Sequence, residues 1–159
     1  MSFTDVLFKP NGRITQGQFW GGWGVLVGAN IVSSFIPILG LIVSLGLIYV
    51  GCCVYGKRLH DMGKSAWLHA IPWAISLVLS IAGFVMMMPA VMRMSQEDPD
   101  FASDPAMMMA AVGPAMGFIT LSFFVWVGYT IWVGVGKPEL GPNKYGPAPG
   151  MAGAADTFV

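Results

Sequence analysis

The chain has 159 residues, of which 55% are hydrophobic and 10% charged, and its eight basic residues balance eight acidic ones. Soluble domains carry about 25% charged residues, so this few cannot cover a water-facing surface. Zero net charge also gives no footing for a nucleic-acid partner. The apolar residues are gathered into long runs, as in bilayer segments. Cys52 and Cys53 are adjacent inside one such run, which excludes a disulfide framework; they read as small apolar residues on a membrane helix.

In chain order, Phe3, Val6, Leu7 and Phe8 suggest a short amphipathic piece on the membrane surface. Pro10-Asn11-Gly12 marks a turn. Thr15 and Gln18 form a capping box that predicts a helix start. No short apolar core with a small-residue cleavage site precedes the first apolar segment, which is expected to stay in the bilayer. Residues 19–55 hold no charge. That is about twice the roughly 20 residues one span needs, so two helices are expected, at 18–35 and 38–55. Pro37 lacks an N–H and favours a break there, and Gly40 allows a tight reversal. Ser65 can cap a third helix at 66–92, with a kink expected at Pro72. Asp104-Pro105 reads as an N-cap with proline at the first helical position of a fourth helix, 106–136, with Pro114 as its candidate kink site. The segment 137–159 is rich in Gly, Pro and Ala, and 150–159 is expected to be disordered.

The predicted architecture is therefore an all-α membrane protein with a single four-span domain over 1–149. Lysine and arginine flanks give its orientation. Lys9, Arg13, Lys57, Arg58, Lys64, Lys137 and Lys144 fall on one side of a four-span chain, and only Arg93 on the other, beside Glu97, Asp98, Asp100 and Asp104. Both ends are expected in the cytoplasm.

Three stretches stand out: Asn-Gly-Arg-Ile-Thr-Gln-Gly-Gln-Phe-Trp at 11–20, Lys-Arg-Leu-His-Asp-Met-Gly-Lys-Ser-Ala-Trp at 57–67, and Gly-Pro-Asn-Lys-Tyr-Gly-Pro-Ala-Pro at 141–149. In this order they resemble the DUF805 family of small bacterial inner-membrane proteins over nearly the whole chain. The chain departs from the family pattern at Gln16, Lys57, Lys144 and Ala148, and its loop between the third and fourth spans is longer. The resemblance implies a multi-pass protein of the bacterial inner membrane. It implies no activity.

The central stretch is the candidate site. On a helix or turn, Asp61 can reach Lys57, Arg58 and Lys64. His60 titrates near neutral pH, and Trp67 suits the headgroup level. Arg13 and Lys144 are expected at the same level, giving a compact cationic surface at the cytoplasmic leaflet. One reading is an anion site for a lipid headgroup or an acidic small ligand, or a docking surface for a partner protein. The other is a topology anchor whose salt bridges stitch helix ends together.

Other constellations are weaker. Gly63-Lys64-Ser65 lacks the earlier glycine and the strand of a phosphate-binding loop. His60 and His69 lack the spacing of a helical zinc pair, so no metal or cofactor is expected. Ser65 and His69 share a face without an orienting third group, so no enzyme is expected. The acidic residues around 97–104 lack calcium-loop spacing and read as a solvated loop. Met86, Met87 and Met88 precede that loop and Met107, Met108 and Met109 follow it; thioethers favour Cu(I), but methionine is equally an apolar bilayer residue. Gly17/Gly21, Gly24/Gly28 and Gly113/Gly117 would allow close helix approach within the chain, or in a homo-oligomer. Asn30, Ser76, Ser80, Thr120 and Ser122 read as helix–helix hydrogen-bonding groups. The expected function is a non-enzymatic membrane protein with a lipid- or ligand-binding basic cap, with an oligomeric transport or channel component as the alternative.

Overall fold

The computed structural model describes residues 2–96, 101 and 103–150. Glu97, Asp98 and Asp100 of the acidic loop, and the tail 151–159, lie outside the described residues. The helices are α1 (Phe3–Phe8), α2 (Gln16–Ser34), α3 (Pro37–Asp61), a 3-10 turn (Ala66–His69), α4 (Ala70–Ser95) and α5 (Pro105–Val135). The chain divides into two compact units, one made of residues 1–69 with the chain from 131 onward, the other of Ala70–Thr130.

In the first unit, α1 begins with a capping box that pairs Ser2 with Asp5, and α2 with one that pairs Thr15 with Gln18. Each box satisfies donors that a helix start leaves open. Val6 and Leu7 of α1 are buried, and Phe3 and Phe8 are exposed. The α2–α3 reversal occurs where proline and glycine predict it. Pro37 opens α3 at a position that requires no N–H. The Gly40 N–H donates to Ile36 O at 2.6 Å, and a Cβ at Gly40 would strike the Ser33 carbonyl oxygen. Gly22 lies against Val54, and Phe19 packs edge-on to Tyr55 with centroids 5.2 Å apart. The two helices therefore run antiparallel from the Ser33–Gly40 turn to the level of Phe19 and Tyr55. At the end of α5, Gly134 receives the Trp20 ring and Gly136 the Met62 side chain.

The second unit is an antiparallel pair. Trp73 meets Trp126 edge-on at 5.2 Å, Gly83 faces the Ala115 carbonyl, and Arg93 Nη1 donates to Met107 Sδ at 3.3 Å. Asp104 Oδ1 accepts the N–H groups of Ala106 and Met107 at 2.8 and 3.2 Å, the N-cap that the sequence predicts. Pro72 does not lie two turns inside a helix. It sits in the first turn of α4, after a 3-10 turn, where its missing N–H breaks no bond. Pro89, for which no kink was expected, lies inside α4, and α5 runs on through Pro114.

Three segments are long and apolar enough to cross a membrane: Gly40–Asp61, Ala66–Ser95 and Pro105–Val135. Their outward side chains, such as Leu41, Leu45, Leu77, Phe84, Ile119 and Phe123, are more than half exposed. Apolar surface of this extent is compatible with a multi-pass membrane protein. The α2 helix is not among the three, because glycines, Asn30 and Ser33-Ser34 dilute its apolar residues. These polar groups bond their own helix rather than a neighbour. Asn30 Nδ2 donates to Leu26 O, Ser33 Oγ to Asn30 O and Ser34 Oγ to Ile31 O. Ser76 Oγ is buried with no hydrogen-bond partner among the described residues. Of the glycine pairs, only Gly21 lies against another segment within the chain, where a Cβ would meet the Phe3 ring at 3.5 Å. A Cβ at Gly17, Gly24, Gly28, Gly113 or Gly117 would meet nothing within 4 Å.

Candidate functional site

The last two turns of α3 carry Lys57, Arg58, His60 and Asp61. The helix ends in a Schellman motif, with Gly63 at φ +70° donating to His60 O and Lys64 N–H to Leu59 O. This ending explains the local Asp-Met-Gly-Lys order. The glycine turns the chain sharply and leaves Asp61 as the last helical residue.

Asp61 is the centre of a buried knot. Its Oδ1 accepts from Arg13 Nε at 3.1 Å and lies 3.0 Å from Arg13 Nη2. Its Oδ2 accepts from Arg58 Nη1 at 2.5 Å. The three side chains are only 1–2% exposed. Two guanidiniums and one carboxylate leave one excess positive charge, and buried charge requires pairing and hydrogen bonds. Backbone carbonyls supply the rest. Arg13 donates to Gly141 O and Glu139 O, both at 2.6 Å. Arg58 donates to Val133 O at 3.3 Å and Gly136 O at 2.7 Å. These last carbonyls close α5, whose final turn has no basic residue of its own, so Arg58 supplies the cation that a helix C-terminus favours. The Glu139 N–H donates to Asp61 O at 2.7 Å.

Lys57 turns away from Asp61. Its Nζ donates to Asp5 O at 2.5 Å and Val6 O at 2.7 Å, capping α1. His60 Nδ1 lies 3.2 Å from Gly12 O. A carbonyl only accepts, so Nδ1 carries the proton. The His60 ring stacks on Tyr145 with centroids 3.8 Å apart. Asn143 Nδ2 donates to His60 O and to Glu139 Oε2, and a bridge to Gly146 closes its turn. The three sequence stretches thus meet at one end of the first unit.

The expected cationic surface is only partly a surface. Arg13, Lys57 and Arg58 are buried because their charges are used to join chain segments. Lys64 and Lys144 remain exposed, with Nζ 5.7 Å from the Trp132 ring centroid and 5.0 Å from that of Tyr145. Trp67 is 84% exposed. Of the three reaches expected for Asp61, only that to Arg58 is made. Ser65 Oγ accepts from Trp67 N–H, and His69 stacks on Tyr55. No group of three or more His, Cys, Asp or Glu that could hold a metal occurs among the described residues. At the methionine clusters, Arg93 Nη1 donates to Met107 Sδ at 3.3 Å. Sequence reasoning missed the Arg13–Asp61 pair, the Lys57 cap and the carbonyl partners of Arg58.

No protein-family model, curated protein or solved structure matches the chain.

Proposed function

We propose that the chain is a four-span protein of the bacterial inner membrane, of the DUF805 type, with both ends in the cytoplasm. In this reading it is not an enzyme, and its inner edge binds anionic lipid. The observation that carries the span count is the pairing of α2 with α3. Arg13, just before α2, bonds Asp61 at the end of α3, and Ser33 meets Gly40 at the opposite end. If Gly40–Asp61 crosses the membrane, α2 runs the same depth beside it. Its 19 residues span about 28 Å, close to the roughly 30 Å hydrocarbon thickness. Asn30, Ser33 and Ser34 donate to carbonyls of α2 itself, which lowers the cost of placing them in lipid.

A cysteine introduced at Thr4, with Cys52 and Cys53 replaced, is expected to resist a membrane-impermeant label applied from the periplasm, whereas one at Ser95 reacts. Labelling of both sites would leave three spans and reject the reading.

For lipid, the exposed groups matter. Lys64, Lys144 and Trp67 are exposed, and a basic group near an anionic leaflet contributes about 1 kcal/mol. Replacing both lysines by alanine is therefore expected to weaken association with anionic lipid about thirtyfold. The check is quantification of phosphatidylglycerol co-purifying with the protein. An unchanged amount would reject lipid binding by this edge.

A further inference from the structure

A cavity of about 270 Å³ opens beside the buried knot, lined by Arg13, Thr15, Gln16, Arg58 and Asp61 and by the 138–141 segment. Its charged lining residues are Arg13, Arg58, Asp61 and Glu139, two of each sign. The Asp61 carboxylate is paired within the knot, and that of Glu139 is engaged outside the cavity. Glu139 Oε2 is held by Asn143 Nδ2 at 2.8 Å and lies against Gly63, and neither residue lines the cavity.

The wall also holds unused donors. A guanidinium has five N–H groups. Arg13 gives one Nη1 hydrogen to Gly141 O, and Arg58 gives one Nη1 hydrogen to Asp61. The second hydrogen on each Nη1 has no partner among the described residues. Thr15 Oγ accepts from Gln18 N–H and keeps its own hydrogen. The Gln16 amide bonds nothing among the described residues. The first turn of α2, a 19-residue helix, lies at the same wall, and its open N–H groups favour negative charge. A partly enclosed site with guanidinium, hydroxyl and amide donors, whose carboxylates are already bonded, suits a tetrahedral oxyanion.

We propose that this cavity is a binding site for a phosphate group, either the phosphodiester of a lipid headgroup or a soluble phosphate ester. The site is distinct from the exposed lysines, and the proposal stands or falls independently of their role.

The decisive variant is Gln16→Glu. Gln16 is exposed, and an acidic residue in the first turn of a helix is favourable, so the fold is retained. The added charge repels an anion at the mouth. Full-length protein in neutral detergent is titrated calorimetrically with inorganic phosphate and with glycerol phosphate. A parallel series uses nanodiscs of phosphatidylglycerol or of phosphatidylcholine alone. The expected result is saturable binding that Gln16→Glu weakens at least about tenfold at unchanged thermal stability, and that Gln16→Lys strengthens. Binding of the soluble phosphates identifies a free-ester site. Binding of phosphatidylglycerol alone, with the same dependence on residue 16, identifies a headgroup site. Absence of saturable binding to every probe overturns the proposal, as does binding that Gln16→Glu leaves unaltered. The Lys64→Ala, Lys144→Ala double variant should keep the phosphate site while losing surface lipid, which separates the two ideas.

Discussion

Replacing Asp61 by alanine is expected to destabilise the protein by about 3–5 kcal/mol, enough to prevent accumulation of folded chain. The carboxylate is nearly inaccessible and bonds two guanidiniums, so its loss leaves Arg13 and Arg58 buried without their shared counter-charge. Their carbonyl partners offset only part of this, because a carbonyl carries a partial charge. The knot also joins three distant segments, so its loss releases the start of α2 and the segment after α5 together. Thermal unfolding in mild detergent and the yield of monodisperse protein measure the effect. Removing Arg58 as well should cost much less than the sum of the two single losses, since the double variant no longer buries two unopposed cations. Wild-type stability in Asp61→Ala would show that the knot does not hold the fold.

Gly40→Ala is the second large effect, expected at about 1–3 kcal/mol. The added carbon would meet the Ser33 carbonyl oxygen, a backbone atom that cannot rotate away. The turn between α2 and α3 must then open, and the helices splay from that end. Gly46 provides the control. It lies in the same helix with nothing within 4 Å of a Cβ, so Gly46→Ala should be neutral or stabilising by up to about 1 kcal/mol, because alanine favours helix. Comparing the two melting temperatures isolates the close approach from helix propensity. Equal behaviour of the two variants would remove the argument for a tight reversal.

Much of the helical plan was legible because it depends on local chemistry. Thr15 with Gln18, Pro37, and Asp104 with Pro105 each act within one turn, and each helix starts where they indicate. Pro72 misled because the chain enters α4 through a 3-10 turn, which moves the proline into the first α-helical turn. The site was half legible. Motif order placed Arg13, the central stretch and Lys144 at one level, and they do meet. What periodicity could not show was direction. Lys57 and Arg58 are neighbours on one helix, yet one bonds carbonyls of α1 and the other carbonyls at the end of α5. A backbone carbonyl has no sequence signature, so a cation that pairs with main chain reads on paper as a free surface charge. Glycine spacing alone did not show which glycines meet another segment of the chain. Close approach is decided by the partner's side chain, such as Trp20 against Gly134, and not by the interval between glycines.

The partners of Arg13 also set an order of events during synthesis. Arg13 and Gly141 are 128 residues apart, and Arg58 and Gly136 are 78 apart. At a translation rate of about 5–20 residues per second, Arg13 waits on the order of ten seconds for its last acceptors. By the later part of that interval α2 and α3 have been made while the guanidiniums lack their carbonyl partners. Only delivery of residues 133–141 satisfies them, so a chain interrupted before Gly141 carries an unfinished cationic centre.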